Sequence, residues 1–264
     1  MRQIEVQWSF ICYDDYHLEE KRELIEFLEC DYLQEILTSF DQKVIIVLGW
    51  DGTMLRAIKE NHKKWLPFLG INFGHKWFLL NSQEIIKPKL SYVERTYPLI
   101  EVEIESNGMT KKAIAVNEID IRAGNGKMIS LDISLSKRQA INIEWDGIIV
   151  STPAGSTGYN SSLGGPIIPH TLNAFVITPK APWKPKGQTP VLINDNETIQ
   201  IKNVGRRLFT EIYCDGKEFL ITENGIQTDI SIRKSEKHIT LIIATDYLDT
   251  WDNKVLQEQG FQTK

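Results

Sequence analysis

The 264-residue chain has only three cysteines, Cys12, Cys30 and Cys214, far apart and odd in number. They form no CxxC pair, which excludes a disulfide framework or a thiolate zinc site as the organising device. The histidines, His17, His62, His75, His170 and His238, show no metal-ligand spacing. Positive charge is not in excess: the formal net charge is -5, so no global field draws nucleic acid or an anionic membrane. No apolar run reaches the length of a membrane span, and no basic and apolar leader opens the chain. Asn160 and Asn196 head NSS and NET triplets, which carry no weight without a secretion signal. These absences predict a reduced, cytoplasmic protein with neither a nucleic-acid nor a membrane partner. An anionic substrate would have to be attracted locally, by backbone N–H groups, a few Lys or Arg, or a metal ion. Two familiar phosphate loops are also missing. No GxGxxG follows a strand, and Gly126-Lys127 and Gly216-Lys217 lack the upstream Gly and following Ser/Thr of a P-loop.

What is there is ordinary in bulk, with 42% hydrophobic and 25% charged residues, and long enough for one large domain or two modest ones. The first hundred residues alternate between strand and helix patterns. IEVQWSFICY reads as a first strand, and His17 to Leu37 repeats apolar residues at helical spacing. VIIVL is too apolar to have a wet face, Thr53 to about Asn61 continues as a helix, and LPFLGIN is the next strand. This order predicts a doubly wound, Rossmann-like α/β domain over residues 1–98.

After Pro98 the texture changes to short period-two runs. PLIEVEIES and KKAIAVNEIDIR flank the turn pair Asn107-Gly108, and MISLDISLS, INIEWDGIIV, ETIQIKNV, LFTEIYCDG, TDISIRK and HITLIIAT follow. They predict an antiparallel, sandwich-like all-β domain over residues 99–245. Residues 246–264 are expected to form a helix that returns to the first domain. No Pro/Gly/Ser linker separates the halves, so a cleft between them is a natural place for a ligand.

Three segments could carry chemistry. The first is GWDGT, Gly49 to Thr53, between a buried strand and a helix. Such a turn aims free N–H groups and a positive dipole end at an anion, phosphate above all. Asp51 would then suit taking a proton from a hydroxyl that attacks phosphate, or holding magnesium. The alternative is a plain Asp-Gly turn with Thr53 as helix cap. The second segment is WDGIIVSTPAGSTGYNSSLGGPIIP, Trp145 to Pro169, where a strand opens into Gly, Ser, Thr and Pro around Tyr159. Hydroxyls and glycine N–H groups suit a ribose or diphosphate, and a tyrosine can stack on a base. The alternative is a flexible Ser/Gly loop, which fits STPAGST and the strand start expected at GGPIIP poorly. The third is Asn117-Glu118 in VNEID, where Asn can read an adenine edge or simply cap a turn.

Together and in this order, these segments resemble the NAD kinase family, in its bacterial ATP/polyphosphate-dependent form. That family carries GGDGT, an Asn-Glu or Asn-Asp pair, and DGxxxSTPTGSTAYxxSxGGP. The resemblance runs from about Val44 to Pro179 and is faint elsewhere, apart from Asp215-Gly216. It implies phosphorylation of the adenosine ribose 2′-hydroxyl of NAD to give NADP, with ATP or polyphosphate as donor and Mg²⁺ accompanying the ATP. It also implies a homodimer or homotetramer with the site near a subunit interface. By this resemblance Asp51 would be the base or orienting carboxylate, and Gly49, Trp50, Gly52 and Thr53 the phosphate-facing turn. Asn117 and Glu118 would contact the adenosine and ribose, and Asn72 would belong to the family's NxGxLGFL run with Gly74. Asp146, often supplied by a neighbouring subunit, would lie near the nicotinamide or adenine end. Ser151, Thr157, Gly158, Tyr159 and Ser162 would line the dinucleotide pocket, with Asp215 close by.

The chain departs from this pattern at Trp50, a tryptophan for the second Gly of GGDGT, and at Lys76 and Trp77, where Leu and Gly are usual. Ala154 for Thr and Gly158 for Ala are mild changes. The first departures raise an altered donor site or a slowed enzyme. Two other readings stay open: a degenerate NAD(P)-binding sensor, and a lipid kinase of the diacylglycerol or sphingosine type. The latter shares a GGDGT turn but lacks STPAGSTGYNSSLGGP.

Overall fold

A computed structural model describes residues 2–6, 9–13, 42–74, 78–82, 91–136, 138–203, 210–222 and 228–245. The chain divides into two units, Met1–Tyr97 with His238–Lys264, and Pro98–Lys237. In the first, β1 (Arg2–Val6) and β2 (Ser9–Tyr13) pair antiparallel, with Val6 opposite Ser9. The single strand expected over IEVQWSFICY is therefore a hairpin. Its two connecting residues are Gln and Trp, so no Gly, Asn or Asp announces the turn.

Strand β3 (Ile45–Gly49) runs parallel to β2 and to β4 (Phe68–Asn72), and every residue of β3 and β4 is buried. This is the two-sided burial that VIIVL demands of a parallel sheet. Helix α1 (Asp51–Asn61) makes the β3-to-β4 crossover and buries Thr53, Met54, Ala57, Ile58 and Asn61. It packs closely, since a Cβ at Gly70 would lie 2.5 Å from Met54 Cε. The helix begins at Asp51 rather than Thr53; Trp50 holds the N-cap position in extended backbone, with no side-chain cap. The helix expected over His17–Leu37 and the closing segment 246–264 lie outside the described residues.

Beyond Tyr97 the described residues are mostly β-strand. Strands β5 (Tyr92–Ser106) and β6 (Met109–Ala115) form the expected hairpin. Asn107 and Gly108 both have positive φ, 51° and 73°, as a type I′ turn requires. Next come β7 (Glu118–Ala123), β8 (Ile129–Leu135), β9 (Ile141–Trp145) and β10 (Gly147–Ser151). The short helix α2 (Tyr159–Ser162) follows, then β11 (Ala174–Lys180), β12 (Val191–Asn194) and β13 (Ile199–Asn203). The last are β14 (Thr210–Cys214), β15 (Lys217–Ile221) and β16 (Thr228–Ala244). One antiparallel sheet has the order β12-β11-β10-β7-β14-β15, and the ladder β16-β13-β8-β9 forms the other, with β5 and β6 beside β16.

Ile119, Ile121, Ile148, Val150, Ile212 and Cys214 of the first sheet share one buried core with Leu131, Ile143, Ile199, Ile201, Ile230 and Ile232. This is the sandwich that the period-two runs predict. The alternation puts Glu118, Asp120 and Arg122 of β7 on the opposite face, away from that core. Two details differ from expectation. TDISIRK and HITLIIAT are one continuous strand, because no turn residue interrupts them. GGPIIP is not a strand: it carries two prolines without N–H groups, and the next strand begins at Ala174.

Candidate active site

Gly49 ends β3 with φ of 151°, and a Cβ there would lie 2.5 Å from Thr53 Oγ1. Only glycine lets the strand turn directly into α1 at this point. Asp51, the first residue of the helix, turns its carboxylate toward the segment after β4. The Phe78 N–H donates to both of its oxygens at 3.1 and 2.8 Å, and the Leu79 N–H donates to Oδ1 at 2.9 Å. The carboxylate is thereby fixed in one orientation. Asn72, at the end of β4, closes its own turn: Nδ2 donates to the Gly74 carbonyl at 2.7 Å and Oδ1 accepts the Gly74 N–H at 2.9 Å. The Trp50 indole lies along Gly52, where a Cβ would come within 3.0 Å of Nε1. Its Cβ approaches Gly74 in the same way, at 3.2 Å. Glycine at 52 and 74 is therefore what makes room for the tryptophan. Lys76 and Trp77 lie outside the described residues.

The second cluster is built at one end of β7 and β10. Asp215, in the β14–β15 turn with φ of 50°, accepts the N–H groups of Val116, Asn117 and Glu118. The shortest of these bonds, from Asn117, is 2.7 Å. Asp215 thus shapes the backbone that presents the Asn-Glu pair. Among the described residues, Asn117 Oδ1 and Glu118 Oε2 are buried with no hydrogen-bond partner. Gly158 backs onto both side chains: a Cβ there would sit 3.7 Å from Glu118 Oε2 and 3.9 Å from Asn117 Nδ2.

STPAGST is an ordered element rather than a flexible loop. The Thr152 hydroxyl donates to the Val116 carbonyl at 2.6 Å, and Ser156 donates to the Pro153 carbonyl at 2.7 Å. Ser151 is fully buried and its hydroxyl donates to the carbonyls of Asn117 and Thr152, at 3.3 and 3.1 Å. Gly155 comes so close to β7 that a Cβ would meet the Asn117 carbonyl oxygen at 2.2 Å. Thr157 is half-buried, while Tyr159 and Ser162 on α2 are exposed. Asp146 stands apart. It precedes β10 at the end opposite Ser151, five residues away and roughly 16 Å by strand rise.

Sequence reasoning missed the Phe78 and Leu79 amides, because backbone donors carry no side-chain signature. It also missed a buried ion pair on the outer face of this sheet. Lys180 Nζ donates to Asp120 Oδ1 and Oδ2 at 2.9 and 3.1 Å and lies 5.0 Å from the Tyr159 ring centre. Thr178 on the same strand donates to Asn160 Oδ1 at 2.6 Å, which seats α2 on that face. Period-two alternation placed Asp120 on β7, but nothing local pairs it with a lysine sixty residues on.

Burial pushes the Glu118 carboxyl up to about 8, with the Asp215 and Asp120 carboxylates adding to the effect. Between its ordinary 4.5 and that value the folded chain keeps a proton the unfolded chain has lost. Stability should therefore fall as pH rises through this window and level off above it. Glu118→Gln cannot ionise, so its urea midpoint should lose this slope between pH 5 and 9. Parallel pH profiles for the two proteins would refute the assignment.

Among the described residues no group of three or more His, Cys, Asp or Glu side chains gathers to hold a metal ion, and no helix is long and apolar enough to cross a membrane. The chain is similar to known proteins along most of its length. The ATP-NAD kinase N-terminal domain family matches residues 5–87, and the ATP-NAD kinase C-terminal domain family matches residues 116–244. The chain is 29% identical to an NAD kinase of Escherichia coli O1:K1 over 272 aligned residues, covering 98% of this chain and 91% of that protein. With the NAD kinase of E. coli O139:H28 it shares 31% identity over 228 residues, 83% of this chain and 76% of that one. Among solved structures, yeast NADH kinase complexed with NADH superposes with a TM-score of 0.77 at 19% identity, covering 100% of this chain and 94% of that one. An NAD kinase from Archaeoglobus fulgidus in complex with ATP gives 0.66 at 25% identity, over 93% and 97%. With both family domains matched in order and relatives aligned over most of its length, the chain belongs to the NAD kinase family.

Proposed function

We propose that the protein is an NAD kinase, transferring a phosphoryl group to the adenosine ribose 2′-hydroxyl of NAD to give NADP. The observation that carries this reading is the Asn117–Glu118 pair, two buried oxygens without partners among the described residues, beside the bare backbone of Gly158. An unpaired buried acceptor costs stability unless a ligand supplies the donor. Ribose hydroxyls and the adenine amino group are such donors. Thr157, Gly158, Tyr159 and Ser162 belong to the same dinucleotide side, with Ser151 and Asp215 holding its frame. Asp146 is kept for the far end of a dinucleotide bound to a neighbouring subunit of a cytoplasmic homodimer or homotetramer.

On the donor side, Gly49, Trp50, Gly52, Thr53 and Asn72 form the turn that meets the phosphates, and Asp51 orients or deprotonates the 2′-hydroxyl. A divalent cation such as Mg²⁺ is assigned to the ATP or polyphosphate that carries it. The work left to the protein is positioning: hold the hydroxyl against Asp51, and hold the donor in line. The residues fall into a donor-side region of 1–98, a dinucleotide-side region of 99–245 and a closing segment of 246–264.

The test is to incubate the protein with NAD, Mg²⁺ and ATP or polyphosphate and measure NADP. Absence of product under varied donor and metal, with NAD still bound in a titration, would establish the sensor reading instead. Trp50 makes a separate prediction. Its indole lies along Gly52 and its Cβ against Gly74, so Trp50→Gly should change the ratio of apparent KM for ATP and polyphosphate by ~10-fold, the equivalent of about 1.4 kcal/mol. An unchanged donor profile would remove Trp50 from donor selection.

A further inference from the structure

Asn81 is fully buried, and its side-chain amide bonds to backbone groups. It sits where two strands part. Strand β4 pairs in parallel with the end of β16 at Phe68 and Leu241. By Gly70, residue 81 has come between them. The Asn81 N–H donates to the Gly70 carbonyl at 2.8 Å, and its carbonyl accepts the Asn72 N–H at 2.8 Å. The side chain completes the opened ladder on its other edge. Nδ2 donates to the carbonyls of Gly70 and Ile242, each at 2.9 Å, and Oδ1 accepts the Ala244 N–H at 2.8 Å. This arrangement needs two donors and an acceptor in one plane, which asparagine supplies. Aspartate would set a carboxylate against two carbonyl oxygens, and leucine would leave buried backbone groups unpaired.

The Leu79 and Phe78 amides that hold Asp51 lie only two and three residues before this anchor. Two residues of extended chain span at most about 7 Å, so a loose Asn81 leaves these amides without a fixed reference to the sheet. The connection is tied at its start to β3, by the Phe73 N–H on the Gly49 carbonyl at 2.7 Å, and at its end to β4 through Asn81, and β3 leads directly into Asp51. We propose that Asn81 is a positioning residue for the reaction at Asp51, acting by fixing the Phe78 and Leu79 amides on that carboxylate; the inference rests on the role given to Asp51 above.

The experiment uses Asn81→Ala and Asn81→Ser in the full chain. Hydrogen exchange at the Phe78 and Leu79 amides should speed up at least ~10-fold while the β3 amides keep their protection, as expected for a local opening. The kcat for NADP formation should fall ~10–100-fold with KM for NAD little changed, because misplacement rather than binding is the defect. In single turnovers on an Asp51→Asn background, the same substitution should cost less than ~2-fold, since coupled residues are not additive. Unchanged exchange at Phe78 and Leu79 in a folded variant would overturn the proposal. So would a full loss that persists without Asp51. If Asn81→Ala does not fold, Asn81→Ser gives the same readouts. A chain that makes no NADP overturns the kinase reading alone, and exchange at the two amides still decides whether Asn81 holds them.

Discussion

Asp51→Asn is expected to lower NADP formation by ~10²–10⁴-fold, the usual worth of a carboxylate on the attacking hydroxyl, with NAD binding retained. Asparagine preserves size and one acceptor oxygen, so α1 and the turn should survive. What it loses is specific. The amide nitrogen is a donor, and it would face either the Phe78 and Leu79 N–H groups or the hydroxyl that must be held. Only the ionised side chain can satisfy both amides and still accept from a third donor. The loss should therefore appear in kcat. Asn117 and Glu118, on the dinucleotide side, are untouched, so a titration with NAD should give an unchanged Kd. Activity within threefold of the parent would remove Asp51 from the chemistry. A loss of NAD affinity matching the loss of rate would make it a binding residue instead.

Lys180→Met is expected to destabilise the fold by ~3–5 kcal/mol, because it strands a buried carboxylate. Asp120 and Lys180 are both less than one-tenth exposed and make a two-pronged pair. Burial already pushes the Asp120 carboxyl up, and the lysine is the largest influence opposing that. Arg122 stands 4.0 Å from Asp120, but its Nε donates to Glu211 at 3.1 Å and its guanidinium covers the Tyr213 ring. It is poorly placed to take over. With Lys180 gone, the unpaired charge is a cost above the carboxyl's pKa that protonation removes, so the destabilisation should shrink as pH is lowered. The double variant Asp120→Val with Lys180→Met should recover stability to within ~1 kcal/mol of the parent or exceed it, as hydrophobic replacements of buried pairs do. Urea unfolding of the three proteins checks the set. A single variant as stable as the parent, or a double variant no better than the single, would refute this account.

How much of this was legible in the sequence depended on whether the cause was local. VIIVL fixes a doubly buried strand by composition, and Asn107-Gly108 fixes a hairpin by backbone chemistry, and both form as read. The two residues between β1 and β2 include no such type, so the sequence there reads as continuous strand. Asp215 was reached only by resemblance; its bonds to three amides a hundred residues earlier could not be read from either segment alone. The same holds for Asp51, whose partners are main-chain groups at positions where any side chain could stand. Glu118 was visible as half of a pair, but its retained proton comes from the depth of the site and, after that, from two other carboxylates. Periodicity reports faces; it does not report which faces meet.

Cys214 closes β14 inside the sandwich core, immediately before the aspartate that organises the Asn117–Glu118 backbone. A thiol there meets reagent only when the strand opens. Its rate of alkylation, followed peptide by peptide in a mass spectrometer, is therefore a clock for the opening of the element that carries Asp215. A dinucleotide that grips the Asn-Glu pair should slow that clock.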